Sequence, residues 1–281
     1  MIGTVNTSRP AVRNVLSILT TLLLALLPLA ISRAAAQTKP TVTALAGGPP
    51  ASAIFIGNSF FYYNNGIHSQ VSNMIRAGAP GHAFRATMAT ISGSGIDWHD
   101  VDSYFRPNAV GRYTFDGNNN VVFNKLDKLF EVAIIMDCSQ CPIHPELGKV
   151  FEAHVQRNAQ TIRKHGAEPV LFMSWAYSDK PEMTAQLAEA YTRAGNEHKA
   201  LVIPAGLAFA RSIAKRPELN LYEADKRHPS PAGSYLAAAT IYAVLIGKSP
   251  AGLKFIASLD PATAIFLQGI AWETVTAYQG K

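Results

Sequence analysis

Short apolar runs alternate along the chain with longer segments whose apolar residues recur at helical spacing. The apolar runs are rich in β-branched and aromatic side chains, as the buried strands of a parallel sheet are. The predicted strands lie at Ala53–Ile56, Ala83–Ile91, Glu131–Met136, Glu168–Ser174 and Ala200–Pro204. The helical segments lie at Ile67–Ala77, Ile96–Phe105, His144–Lys164, Pro181–His198, Gly206–Lys215, Ser230–Ile246 and Pro261–Tyr278. The alternation predicts one α/β domain in which helices cover both faces of a sheet of about five parallel strands.

Three stretches between these elements have features of their own. Phe60–Gly66, shortly after the first predicted strand, is dense in aromatic residues and is predicted to be a loop that either lines a pocket or packs beneath one. Arg106–Asn120 has no clear period, and Asp116-Gly117 within it indicates a turn or hairpin. His99, in a short predicted helix, is interpreted as a structural or pocket-lining residue.

The first 36 residues have the pattern of a secretory signal peptide. Arg9 and Arg13 precede the almost entirely apolar segment Val15–Ile31, and Ala34–Ala36 supplies a small-residue cleavage site. An uncleaved membrane anchor is the alternative, which Pro28 and the short apolar core disfavour. We therefore predict a leader at 1–36, a flexible lead-in at 37–50 and a single domain at 51–281.

Charge and composition limit the classes of partner. The formal net charge is +6, and three of the arginines lie in the predicted leader, which leaves roughly +3 on the rest of the chain. The basic residues are scattered rather than grouped, so a nucleic-acid partner is not expected. No apolar run after the leader is long enough to cross a bilayer, and we expect no membrane association once the leader is removed. A periplasmic or secreted location follows from the leader.

The two cysteines, Cys138 and Cys141, are separated by two residues. In an exported protein such a pair most simply forms a small disulfide loop. Thiol–disulfide exchange is an alternative, because the pair follows a predicted strand, but such motifs usually come early in much smaller domains. A zinc site that includes His144 is another alternative, and it lacks an evident fourth ligand. We favour the disulfide and predict no metal.

Gly57-Asn58-Ser59 follows the first predicted strand and places a serine at the carboxyl edge of the sheet, where open α/β folds bind ligands. A serine on such a turn has an exposed hydroxyl beside a backbone N–H that can receive an oxyanion. Ordinary turn chemistry would also account for Asn58 and Ser59, so this motif alone is weak. Ser59 is a candidate nucleophile.

A second candidate motif lies far downstream in the predicted loop before Ser230–Ile246. Asp225 and His228 are three residues apart, so a turn can fold the carboxylate back onto the imidazole Nδ1–H and leave Nε2 free as a base. Ser230 is a good N-cap, and Pro231 suits the first helical position. A solvated Asp–His pair in a polar loop is the alternative.

With both motifs, the chain resembles the SGNH hydrolases, the GDSL-like esterase and lipase superfamily, over about residues 52–247. Gly57-Asn58-Ser59 matches the first block of that family, and Asp225-Lys226-Arg227-His228-Pro229 with Gly233 matches the last. The resemblance implies a flavodoxin-like, three-layer α/β/α sandwich. It also implies that Ser59 is the nucleophile, His228 the general base and acid, and Asp225 its orienting partner.

The resemblance further implies an oxyanion hole, for which this chain matches the family only in part. The backbone N–H groups of Ser59 and Gly93 are the first candidates, with Gly95 as the alternative to Gly93. The third family block is usually Gly-x-Asn-Asp, whereas the corresponding strand end here is Asp137-Cys-Ser-Gln. No asparagine is present there, so Ser139 or Gln140 is predicted to supply the third donor.

The expected function is hydrolysis of a carboxylic ester through an acyl-enzyme, without a metal or organic cofactor. By analogy with the fold family, the substrate is a small-molecule or glycan ester, with an acyl group on a carbohydrate as one option. Because the third family donor is missing, the alternative is a weak or inactive SGNH-like carbohydrate-binding protein.

Overall fold

A sheet of five parallel strands lies at the centre of the computed structural model, which describes residues 38–281 except 108–109, 111–112, 124–125 and 127. In chain order the described strands are β1 (Ser52–Gly57), β2 (Arg85–Thr90), β3 (Tyr113–Phe115), β4 (Val121–Phe123), β5 (Val132–Ile135), β6 (Glu168–Phe172) and β7 (Leu201–Ile203). β3 and β4 form a separate antiparallel hairpin, and the other five strands lie in the order β2-β1-β5-β6-β7. Without the hairpin this is the 2-1-3-4-5 order of flavodoxin-like folds.

The register of the sheet is continuous from one edge to the other. Ile54 on β1 lies opposite Thr87 on β2 and Ala133 on β5, and Leu171 on β6 lies opposite Val202 on β7. Every residue of β1, β5 and β7 is buried. This burial on both faces is why the strands are continuous apolar runs rather than alternating ones.

The described α-helices are α1 (Ser59–Tyr62), α2 (Ile67–Gly78), α3 (Val101–Tyr104), α4 (Leu147–Lys164), α5 (Met183–Glu197), α6 (Ala205–Lys215), α7 (Pro231–Ile246) and α8 (Pro261–Gln279). Phe55 and Ile134 point to the face that α2, α6, α7 and α8 cover. Ile54 and Ile135 point to the opposite face, which α3, α4 and α5 cover. The molecule is thus a three-layer α/β/α sandwich, and the predicted fold class is confirmed.

Local structure differs from the sequence prediction around the aromatic stretch Phe60–Gly66. A one-turn helix, α1, begins at Ser59, directly after β1, where a loop was predicted. The Oδ1 atom of Asn58 accepts a hydrogen bond from the backbone N–H of Phe60 at 3.2 Å and so caps this turn. A helix of four residues has no periodic pattern of its own, so only its cap indicates it in the sequence.

Two other segments also differ from their predictions. The predicted helix Ile96–Phe105 is divided into a 3-10 turn at Ile96–Trp98 and the short helix α3. The described part of the lead-in, which was predicted to be flexible, is instead tied to the domain through backbone N–H groups at Ala46 and Gly47, each 2.8 Å from the carboxylate of Glu168.

The turn predicted at Asp116-Gly117 is the tip of the β3–β4 hairpin. The predicted signal peptide lies outside the described residues. Among the helices that the structure describes, none combines the length and apolar character needed to span a membrane.

The start of α7 fixes the loop that carries Asp225 and His228. Ser230 Oγ accepts a hydrogen bond from the backbone N–H of Gly233 at 3.2 Å, with Pro231 in the first turn. A Cβ atom added at Gly233 would lie 2.3 Å from the carbonyl oxygen of Leu221, a backbone atom that cannot rotate away. Glycine at this position therefore lets the loop return across the first turn of α7.

We expect Gly233→Ala to lower the free energy of unfolding by about 1–3 kcal/mol, because the added methyl group overlaps the backbone of Leu221. The melting temperature should fall by roughly 2–12 °C in differential scanning calorimetry. Gly269→Ala on α8 is the matched control, since nothing lies within 4 Å of a Cβ there, and it should be neutral or stabilising by up to about 1 kcal/mol. Equal melting temperatures for the two variants would contradict this account.

Candidate active site

The candidate site lies at the carboxyl edge of the sheet, where β1 has neighbours on both sides. The chain leaves β1 toward β2 on one side, and β5 lies on the other side, so the strand order reverses at β1. Open α/β folds bind ligands in the crevice that such a reversal creates. The segments after β1, β2 and β5 supply Ser59, Gly93 and Ser139 to one small cleft of ≈ 160 Å³, which Tyr177 and His228 also line.

Ser59, His228 and Asp225 form a continuous hydrogen-bonded series. Ser59 Oγ lies 2.8 Å from His228 Nε2, although the two residues are 169 positions apart in the chain. His228 Nδ1 is hydrogen-bonded to Asp225 Oδ2. With the Nδ1 proton on the Asp225 side, Nε2 is the nitrogen that can accept the Ser59 proton. The structure thus brings together all three residues that the motifs singled out.

A tight turn folds Asp225 back onto His228. The backbone N–H of Glu223 donates to the His228 carbonyl at 2.8 Å, and Tyr222 and Pro229 form an isolated antiparallel bridge. Lys226 takes a left-handed conformation with φ 66°, which reverses the chain between Asp225 and His228. Within this turn Asp225 Oδ1 accepts the backbone N–H groups of residues 227 and 228, each at 2.9 Å.

These hydrogen bonds keep Asp225 ionised. Partial burial opposes ionisation, but the hydrogen bonds from the His228 ring and from the two backbone N–H groups outweigh it and lower the pKa of Asp225 to about 2. The carboxylate is therefore charged throughout the range in which a histidine titrates. A charged Asp225 can stabilise an imidazolium at His228.

Aromatic rings hold the imidazole of His228 in place. Tyr63 stacks on it with ring centres 4.2 Å apart and an interplanar angle of 9°, and Phe60 contacts it edge-on at 5.6 Å. Phe60 in turn stacks on the buried ring of Trp175, and Trp175 stacks on Phe209. The His228 ring is thus fixed both by its hydrogen bonds and by this aromatic stack.

Trp175 also holds the backbone of the histidine loop, because its Nε1–H donates to the carbonyl of Arg227 at 2.9 Å. Trp175, Phe60 and Phe61 are buried, so these aromatics belong to the core rather than to an open stacking surface. Desolvation, with a smaller effect of the Asp225 charge, raises the pKa of Tyr63 above its ordinary value.

The structure places most of the predicted oxyanion donors in the cleft. Gly93 has a left-handed conformation with φ 70° and lines the cleft with Ser59. Within the described residues, the backbone N–H groups of Ser59 and Gly93 donate to no protein acceptor. Ser139 Oγ lies in the same cleft, 2.6 Å from the hydroxyl oxygen of Tyr177. Gln140 is exposed and lines a neighbouring cavity, so the structure does not bring it to Ser59.

Three residues that the motif analysis did not single out as site residues also belong to this region. Asn58 Nδ2 donates to the carbonyls of Ser94 and Asp137, at 3.0 and 3.2 Å, and so joins the segments after β2 and β5 to the nucleophile turn. Tyr177 is the hydrogen-bond partner of Ser139, and the guanidinium of Arg227 lies 4.8 Å above its ring. Asn58 lay within the first motif, but nothing local in the sequence pairs residues 139 and 177.

His99 is buried beneath the site and takes a structural role, as interpreted from the sequence. Its Nε2 lies 3.0 Å from the Gly57 carbonyl, and its Nδ1 lies 2.9 Å from the hydroxyl of Tyr104. A carbonyl oxygen can only accept a hydrogen bond, so Nε2 carries the proton and Nδ1 accepts from Tyr104. Desolvation lowers the pKa of His99, which favours this neutral form.

The sulfur atoms of Cys138 and Cys141 are joined in a disulfide bond. In this state they are not thiolates, which a zinc site would require. The third residue of the zinc alternative, His144, uses Nδ1 to accept the backbone N–H groups of Glu146 and Leu147 at 3.2 Å each. With both cysteines in the disulfide, the zinc alternative lacks its thiolate ligands.

Asp137 is a buried carboxyl group between two of the cleft segments. Its Oδ1 accepts the backbone N–H of Ile96 at 2.8 Å and that of Cys138 at 2.7 Å. Burial raises the pKa of Asp137 to about 6, even though these two hydrogen bonds favour the charged form. The carboxyl group therefore links the glycine-rich turn after β2 to the segment that carries Ser139.

We expect the raised pKa of Asp137 to make folding stability depend on pH. Between about pH 4 and 6 the native state holds a proton that the unfolded chain has released, so this contribution is lost as the pH rises. The shift corresponds to about 3 kcal/mol. Asp137→Asn should therefore gain stability relative to the wild type between pH 4 and 6.5, as measured by urea unfolding. Parallel pH profiles for the two proteins would show that Asp137 titrates normally.

No family model matches the chain, and no curated protein matches it significantly in sequence. Solved structures with the same architecture do match. A DUF4886 family protein from Bacteroides uniformis is 17% identical with a TM-score of 0.56, over 81% of this chain and 95% of that one. A proposed SGNH hydrolase from Slackia heliotrinireducens is 20% identical with a TM-score of 0.51, over 69% of this chain and 98% of that one.

An acetylxylan esterase from Geobacillus stearothermophilus, Axe2, is similar to a comparable degree. The structure of a catalytic mutant of Axe2, in which a serine is replaced by alanine, is 14% identical with a TM-score of 0.52, over 79% of this chain and 100% of that one. At such identities the likeness is one of fold. The chain therefore has the fold of the SGNH hydrolases, as its motifs predicted.

Proposed function

We propose that this chain is a serine esterase of the SGNH type that hydrolyses a carboxylic ester through Ser59, His228 and Asp225. The observation that carries the proposal is the unbroken series of hydrogen bonds from the Ser59 hydroxyl through the imidazole to an ionised carboxylate. A solvated Asp–His pair is not expected to lie 2.8 Å from a serine at the sheet edge where the strand order reverses. That arrangement is what a hydroxyl nucleophile needs for activation.

The first half of the reaction acylates Ser59. His228 Nε2 takes the hydroxyl proton as Oγ attacks the ester carbonyl, and the carbonyl oxygen becomes a tetrahedral oxyanion. The imidazolium then gives this proton to the leaving alkoxide, and the C–O bond of the ester breaks to leave an acyl-enzyme. Asp225 keeps Nδ1 protonated and stabilises the imidazolium in both steps.

The second half releases the acid. His228 removes a proton from a water molecule, which attacks the acyl carbon and forms a second tetrahedral oxyanion. When this intermediate collapses, the proton on Nε2 returns to Ser59 Oγ and the carboxylic acid leaves. The atoms balance as ester plus water giving alcohol plus acid, with the enzyme unchanged.

The oxyanion is held by the backbone N–H groups of Ser59 and Gly93 and by the hydroxyl of Ser139. The two backbone groups line the cleft without protein acceptors in the described residues. Ser139 can donate its proton to the oxyanion when the Tyr177 hydroxyl donates to Ser139 Oγ, which the 2.6 Å contact permits. Ser139 with Tyr177 would then take the place of the missing asparagine.

The cleft favours a small acyl group. Its volume of ≈ 160 Å³ is below the roughly 300–1,000 Å³ of pockets that hold drug-sized ligands. The acetylxylan esterase among the similar structures removes a short acyl group from a carbohydrate, according to its name. We therefore propose a short-chain ester, carried by a carbohydrate, as substrate of an exported enzyme, and the disulfide suits an oxidising compartment.

We expect the protein to hydrolyse p-nitrophenyl acetate, and Ser59→Ala and His228→Ala each to lower kcat by at least about 10³-fold, because nucleophile and base act as one unit. The release of p-nitrophenol measures the rate, with p-nitrophenyl butyrate beside the acetate. Covalent labelling by a fluorophosphonate probe should occur in the wild type and be absent from Ser59→Ala. Equal background rates in all three proteins would contradict the esterase proposal and favour an inactive SGNH-like binding protein.

The third oxyanion donor has a test of its own, because the sequence left Ser139 and Gln140 as alternatives. Ser139→Ala should lower kcat by about 10²–10³-fold with little change in KM, as expected when an interaction of the transition state is lost. Gln140→Ala, one residue away and outside the cleft, is the matched control and should leave kcat unchanged. The reverse result would assign the donor to Gln140 and require the segment after β5 to rearrange on binding.

A further inference from the structure

A second cavity, separate from the Ser59 cleft, is lined by amide and hydroxyl side chains together with Pro231, Phe255 and Ala257. It has a volume of ≈ 350 Å³ and lies between α2, the start of α7 and the segment before α8. The residues that matter for its chemistry are Asn65, Ser69, Gln70, Asn73, Phe255 and Ser258. None of its lining residues carries a charge, so it offers nothing to balance the charge of an ionic ligand.

The lining matches a molecule with many hydroxyl groups. A carboxamide has donors and an acceptor side by side, and a hydroxyl group both donates and accepts, so neighbouring hydroxyls of a sugar can satisfy each amide. The half-buried ring of Phe255 adds an apolar surface for the C–H groups of a sugar ring. A ligand with an alternation of hydroxyl and C–H groups fits this lining better than a purely apolar one.

One buried atom in this lining lacks a partner. Gln70 is 7% exposed, and its Nε2 donates to the carbonyl of Asn64 at 3.3 Å. Its Oε1 is buried and has no hydrogen-bond partner among the described residues. A buried acceptor without a partner is costly, so a rotation of the Gln70 amide that brings Oε1 to a ligand hydroxyl would remove that cost on binding.

The cavity also adjoins the segment that carries His228. Asn64 Nδ2 donates to the carbonyl of Pro229 at 2.9 Å and lies 2.7 Å from Ser234 Oγ. The residue before Asn64, Tyr63, stacks on the His228 ring. A molecule bound against Asn64 and Gln70 therefore sits next to the elements that hold the imidazole.

We propose that this cavity binds one neutral sugar unit of an oligosaccharide. The bound sugar accepts from the amide N–H groups of Asn65 and Asn73, donates to Gln70 Oε1 and places a ring face on Phe255. The site is a binding site and takes no part in bond breaking. It does not require Ser59 to be a nucleophile, so it would hold even if the esterase proposal failed.

The test measures binding to the Ser59→Ala protein by isothermal titration calorimetry, so that no hydrolysis complicates the result. The probes are the neutral hexasaccharides xylohexaose and cellohexaose, with hexagalacturonate as an acidic comparator. We expect at least one neutral probe to bind with a Kd below about 10 mM, and the acidic comparator to bind more weakly. No binding by either neutral probe, or tighter binding of the acidic one, would overturn the proposal.

A second substitution added to Ser59→Ala locates the site. Gln70→Met keeps the volume but removes both the Oε1 acceptor and the Nε2 donor to the Asn64 carbonyl, so it should weaken binding of the neutral probe by about three- to tenfold while the protein stays folded, as its melting curve would show. Asn73→Ala, at a partly exposed position of α2, should also weaken binding and provides a second variant if Gln70→Met is unstable. An unchanged Kd in both variants would mean that any sugar binds elsewhere and would overturn the assignment.

Asn158→Leu supplies the matched control. Asn158 is also a buried helical amide with an unpartnered atom, Nδ2, but it lies on α4, across the sheet from the cavity. This substitution should change the melting temperature and leave the Kd for the neutral probe unaltered. A loss of binding in Asn158→Leu equal to that in Gln70→Met would show a general effect of core substitutions and would count against the proposal.

Discussion

One side-chain amide, that of Asn58, holds together the three segments that form the candidate site. Its oxygen caps the turn that carries Ser59, and its nitrogen donates to the backbone carbonyls of Ser94 and Asp137. Each of these segments leaves a different strand, β1, β2 or β5. An aspartate at this position would cap the turn equally well but would face the two carbonyls without a proton to donate.

The polar groups around Asn58, at the carboxyl edge of the sheet, are buried but form hydrogen bonds with one another. The Gly57 carbonyl, at the end of β1, accepts from the backbone N–H of Ile91, from Ser94 Oγ and from the ring of His99, and Asp137 accepts two backbone N–H groups. A buried network of this kind is stable only if its members are satisfied. Burial raises the pKa of Asp137, and its two hydrogen bonds offset this effect only in part.

The sequence predicts some parts of this structure well for physical reasons. Strands buried on both faces must be apolar along nearly their whole length, so β1, β5 and β7 were visible as runs such as Ala53–Ile56. The pair Asp225 and His228 was visible because a tight turn brings neighbours in sequence into contact. Ser59 and His228 are far apart in the chain, and only the family resemblance joined them before the structure did.

Other parts could not be predicted because they depend on contacts between distant segments. The partner of Ser139 is Tyr177, which follows a different strand, and no local pattern pairs them. The helix α1 is set by the cap at Asn58 rather than by periodicity, so it was predicted to be a loop. The same limit explains why Gln140 looked as suitable as Ser139: adjacent residues after a strand point in different directions, and the chain alone does not say which one faces the cleft.

The Ser139–Tyr177 pair also bears on how the site differs from the family pattern. A carboxamide has its N–H donors fixed in a plane, whereas a hydroxyl proton rotates and must be directed by whatever its oxygen accepts. If Tyr177 donates to Ser139 Oγ, the Ser139 proton points away from Tyr177. Both residues line the cleft, so the proton can point into it. The burial of Tyr177 and its contact with the Arg227 guanidinium limit the movement of the Tyr177 ring.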